Sequence, residues 1–97
     1  MNIIKSSVAG TMESSDIMVT IEPGSGGIEI ELKSMVEKQF GQQIRSVITN
    51  TLAELQVKSA KVIAVDKGAL DCTIQARVKT AVFRASGESC AEWRASK

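Results

Sequence analysis

Ser14 and Ser15 stand side by side in the segment AGTMESSD (residues 9–16), with Glu13 before them and Asp16 after. A catalytic serine needs a base to take its proton, most often histidine. This 97-residue chain has no histidine at all. The pair therefore suits a hydroxyl that another enzyme acts upon, on a segment too small and polar to be held in a core. On composition alone, an unmodified and disordered serine-rich stretch is the plainer account.

The remaining reactive groups assemble no active site. Cys72 and Cys90 lack a histidine to deprotonate either thiol, and two cysteines make neither a disulfide framework nor a zinc site. A small packed cysteine is the ordinary reading of Cys72. Glu29 and Glu31 alternate along a charged strand face, where carboxylates are normally just solvated. Asp66 and Asp71 flank KGAL at a strand-to-helix junction, a place for caps and dipole partners. The run GSGG (residues 24–27) resembles part of a phosphate loop, but no Lys-Ser or Lys-Thr follows it, so it reads as a turn. With no set of nucleophile, base and orienting group, the chain is read as non-enzymatic.

Charge and composition exclude further classes. Twelve basic and eleven acidic residues leave a net charge of +1, which argues against duplex nucleic acid or an anionic membrane surface as partner. Phe40, Phe83 and Trp93 are the three aromatic residues, too few to stack single-stranded bases. No run approaches membrane-spanning length, and the first ten residues lack signal- and transit-peptide patterns, so a cytoplasmic protein is expected.

The elements that must position the serines follow from hydrophobic periodicity. Ile17, Val19 and Ile21 alternate with polar or mixed residues as a half-buried strand. PGSGG follows, and then IEIELK alternates Ile28, Ile30 and Leu32 with Glu29, Glu31 and Lys33. So short a link predicts an antiparallel hairpin. Ser34 and Glu37 have capping-box spacing ahead of a helix over about residues 35–55. Its apolar stripe is Val36, Phe40, Ile44, Val47, Ile48, Thr51 and Leu55. AKVIAVD (residues 60–66) is apolar on both faces and reads as a covered strand. A second helix over about 69–85 buries Leu70, Ile74, Val78, Ala81, Val82 and Ala85, with Gly87 placed to cap its end.

The expected fold is α+β: a small two-layer β-β-α-β-α sandwich with both helices on one face of a three-stranded sheet. The strand over 17–22 is expected at its centre, with the strands at 28–33 and 60–66 parallel to each other on its two sides. The whole chain, 1–97, forms one domain, with residues 1–15 a flexible loop and 88–97 a frayed tail.

Three blocks carry a resemblance. VAGTMESSD, VEKQFGQQIR and DKGALDCTIQAR…RAS, collinear over residues 8–86, resemble the citrate lyase acyl carrier protein family, the gamma subunit of that enzyme. In that family the serine of the AGT-x-ES segment carries a 2'-(5''-phosphoribosyl)-3'-dephospho-CoA group through a phosphodiester. The resemblance maps this role onto Ser14. Ser15, the less favoured attachment point, occupies a position where the family often has glycine, and Met12 one where it often has leucine.

The same resemblance implies partners: an alpha subunit that exchanges acetyl for citryl, a beta subunit that cleaves citryl to oxaloacetate, and a transferase that attaches the group. Any magnesium would belong to the lyase subunit. A further expectation is a docking patch of Cys72, Ala76 and Phe83 on the second helix, unless Phe83 packs under the tail against Trp93. The alternatives are the carrier subunit of a malonate decarboxylase, which uses the same type of group, and an unmodified adaptor.

Overall fold

The computed structural model describes residues 1–34 and 37–87, and the side chains of residues 37–39 are not among those described. Six elements follow one another: β1 (Ser7–Gly10), β2 (Ile17–Glu22), β3 (Ile28–Ser34), α1 (Glu37–Glu54), β4 (Ala60–Asp66) and α2 (Asp71–Ser86). The expected two-layer α+β sandwich is present, but its sheet has four strands in the order β1-β2-β4-β3.

Two expectations about the sheet are corrected. β2 and β3 do not pair as a hairpin; β4 lies between them, antiparallel to β2 and parallel to β3. The strand over 17–22 is therefore not the middle of a three-stranded sheet. The link over residues 23–27 crosses a gap two strand spacings wide, about 10 Å. The physical reason lies in the faces. β3 sets Glu29, Glu31 and Lys33 on its outer side, as suits an edge strand. β4 offers Ile63 and Val65 there and can take neighbours on both sides.

The second correction is β1. Ser7–Gly10, inside the segment expected as loop, pairs antiparallel with β2 from Ser7↔Ile21 to Gly10↔Met18. It is held from the helix side as well: the Ser7 hydroxyl donates to the Ala81 carbonyl at 2.6 Å, and Arg84 donates to the Val8 carbonyl at 2.8 Å.

The core lies on one sheet face. Ile17, Val19 and Ile21 of β2 stand opposite Asp66, Ala64 and Val62 of β4, and Leu32 of β3 stands beside Ala64. Onto them pack Ile44, Val47, Ile48 and Leu52 of α1 and Leu55 just after it, with Ile74, Val78, Ala81, Val82 and Ala85 of α2. Gly87 caps α2 in the left-handed region at φ 79°, as expected.

Three side chains depart from the expected stripes. Leu70 precedes α2 and is exposed, and Phe40 is also exposed. Phe83, expected on a surface patch with Cys72 and Ala76, is buried, while those two are exposed. The patch therefore loses its only large apolar member. The Glu37 side chain of the Ser34–Glu37 capping pair is not described, and Val36, Cys90, Trp93 and the tail lie outside the described residues.

Candidate functional site

The serines sit in the connection between β1 and β2, at the end of the sheet where β3 and β4 also finish. Gly10 opens this loop at φ 96°, a conformation that L side chains rarely adopt. A Cβ at Gly10 would collide with the Ile17 carbonyl oxygen across the hairpin. The glycine of the AGT motif is thus required by the closeness of the two strands.

Asp16 organises the loop. Its Oδ1 accepts from the Ile17 amide at 2.7 Å and from Arg77 Nε at 3.1 Å. Its Oδ2 accepts from the Thr11 hydroxyl at 2.7 Å and from Arg77 Nη2 at 2.9 Å. This is the two-pronged geometry that guanidinium and carboxylate favour. The Arg77 fork, then the Thr11 hydroxyl and the Ile17 amide, hold the Asp16 carboxyl well below the usual carboxylate range. Thr11 also accepts from the Glu13 amide, and the Asp16 amide donates to the Glu13 carbonyl.

Two backbone bonds join the loop to the turn after β4: the Ser15 amide donates to the Lys67 carbonyl, and the Lys67 amide donates to the Asp16 carbonyl, each at 2.8 Å. Loop residues 11–15 remain exposed at the side-chain level, so the backbone is organised while the serines face solvent.

The two serines differ in backbone. Ser15 lies at φ 65°, in the left-handed region, which accounts physically for glycine being favoured at such a position. Ser14 has no such constraint, and its hydroxyl makes no hydrogen bond among the described residues. Lys33 and Lys67 line a shallow depression at the same end of the sheet, and neither ammonium forms an ion pair among the described residues.

Beyond Lys67 the chain shapes a cleft of about 420 Å³, lined by Phe40, Gln43, Ile44, Asp66, Gly68, Ala69, Leu70 and Asp71. Asp66 is buried at its base, accepting from the Ser34 hydroxyl and the Ala69 amide at 3.0 Å each. Asp71 accepts from Gln43 at 3.0 Å on the rim. These acids tie the junction and Asp71 sits in the first turn of α2, but neither caps that helix, whose N-cap Leu70 has no side-chain cap bond. No group of three or more His, Cys, Asp and Glu residues is arranged for a metal ion among the described residues. No helix among them is long and apolar enough to cross a membrane.

Sequence reasoning singled out Ser14 and Ser15 but missed Arg77, which reaches the loop from α2. Nothing in the local sequence around Arg77 marks a partner 61 positions away.

Comparison with known proteins shows the family. The citrate lyase acyl carrier protein of Streptococcus mutans is 59% identical over 95 residues, 97% of this chain and 93% of the relative. That of Streptococcus uberis is 56% identical over 94 residues, 97% of this chain and 93% of the relative. The chain belongs to the citrate lyase acyl carrier protein family. The family profile described as malonate decarboxylase delta subunit (MdcD) matches residues 4–85. In fold, the chain is similar to a chain of a Pseudomonas malonate decarboxylase hetero-tetramer solved in complex with malonate. That likeness has a TM-score of 0.74 at 19% identity and covers 86% of each chain.

Proposed function

We propose that this chain is the acyl carrier subunit of citrate lyase, with Ser14 as the covalent anchor of a 2'-(5''-phosphoribosyl)-3'-dephospho-CoA group. The observation that carries the reading is the contrast around Ser14: an exposed hydroxyl without a partner among the described residues, on a loop whose backbone is tied down on both sides. Such an anchor needs access for a transferase and no base of its own.

The local residues fit a phosphodiester. Ser14 offers the oxygen, and Lys33 and Lys67 line a depression at the same sheet end, together with the buried Asp66. Asp16 is paired with Arg77, which offsets its charge, while Glu13 beside Ser14 is exposed to solvent. When bound, the group supplies a terminal thiol that holds acyl units as thioesters. The chain's own contribution is mechanical. The sandwich fixes the base of the arm, Gly10 and the Asp16–Arg77 pair fix the loop, and tethering raises the effective concentration of the acyl unit at partner sites.

The partners in this reading are the acyl-transferring alpha subunit, the citryl-cleaving beta subunit and the transferase that loads the serine. The identities of 56% and 59% to citrate lyase carriers favour that system over malonate decarboxylase. Co-expression with the loading transferase, followed by intact mass, tests the reading: one covalent addition of the prosthetic group is expected. A bare polypeptide mass would leave only an adaptor.

A further inference from the structure

Among the described residues, three of the five exposed large apolar residues, all but Ile4 and Val8, share one end of the molecule. Met12, Phe40 and Leu70 are all at the sheet end that carries Ser14, and Phe40 and Leu70 wall the cleft there. The cleft is close to the serine. The Ser15 amide bonds to the Lys67 carbonyl, and Gly68, the next residue, is already cleft wall. Summing bond and hydrogen-bond lengths keeps the Ser14 and Gly68 Cα atoms within about 10 Å of each other.

The chemistry of the cleft selects what enters it. Its size falls in the range of small-molecule sites, and Phe40, Ile44, Ala69 and Leu70 make its wall largely apolar. Among the described residues, the polar groups lining it are the carboxylates of Asp66 and Asp71, with Gln43 held by Asp71. An anion is repelled there, whether phosphate or a carboxylate-bearing acyl unit. A neutral chain with methyl groups and amide N–H donors is accepted. Coenzyme-A-type arms contain one such portion, the pantetheine segment between the phosphates and the thiol.

We infer that the cleft bounded by Phe40, Ile44, Ala69 and Leu70 seats the neutral pantetheine segment of the Ser14-linked arm while the carrier is free of its partners. The inference rests on the arm being attached as proposed above. Seating shields the segment from water and leaves the charged ends outside, so the arm swings out when a partner site binds it better.

The test compares backbone amide shifts of ¹⁵N-labelled apo and holo protein, with loading verified by intact mass, in wild type and in Leu70→Asp. Leu70 is 70% exposed and holds the N-cap position of α2 without a side-chain cap, so aspartate there suits the helix and preserves the fold. The expected result is a set of holo-specific shifts at Ile44, Gly68, Ala69 and Leu70, reduced several-fold in loaded Leu70→Asp. Shifts confined to residues 11–16 in loaded protein would overturn the seat while leaving the carrier function intact. Cleft shifts that appear only after a large subunit is added would reassign the cleft to docking. A protein that never gains the mass would fail at the earlier step, and the seat with it.

Discussion

Asp16 and Arg77 are 61 positions apart and meet in a two-pronged ion pair that ties the β1–β2 loop to α2. The Asp16 side chain is 13% exposed and that of Arg77 39%, so the pair is partly screened by solvent. Its value lies in geometry: one carboxylate gathers Thr11, Ile17 and Arg77, and the serines follow from that arrangement.

The pair predicts a pH dependence. Because the folded state holds Asp16 below its ordinary range, folding favours the ionised form. That contribution is complete above the unfolded carboxylate value of about 4 and fades as pH falls from there through the lower folded value. Asp16→Asn should therefore lower the thermal midpoint near pH 7, and its deficit against wild type should shrink below pH 4. Paired melts across pH 2–7 check this; a deficit that grows on acidification contradicts it.

Gly10→Ala should distort the serine loop, since a left-handed φ and the Ile17 carbonyl both oppose a side chain. A cost of about 1–3 kcal/mol is expected from the backbone strain alone. Urea unfolding measures the cost, and hydrogen exchange over residues 11–16 should show the loop loosened.

Phe83→Ala should destabilise the free protein by about 3–5 kcal/mol, the usual loss for a buried phenylalanine. The check is the urea midpoint at unchanged slope. A near-neutral result would return Phe83 to the surface patch that its helical position first suggested.

The helices and β4 were legible in the sequence because their patterns are local. Ala60–Asp66 coincides with the strand read from AKVIAVD, and Gly87 caps α2 where expected. What escaped is non-local. β1 is four small or short residues, SVAG, and its hold on the helix comes through Ser7–Ala81 and Val8–Arg84, more than 70 positions apart. Phe83 was misplaced for the same reason: its burial depends on packing that its own helical position does not show. The missing hairpin had a local signal in the charged outer face of β3, which marks an edge. The serines themselves were visible, but the clamp that presents them was not.

The central claim is the anchor. Ser14→Ala and Ser15→Ala, each co-expressed with the loading transferase and analysed by intact mass and fragment mapping of residues 1–33, test it most directly. Neither serine is buried, so both variants should fold. Ser15→Ala should carry the full added mass on Ser14, and Ser14→Ala should carry none. The group found on Ser15, or an addition that survives Ser14→Ala, would contradict the account.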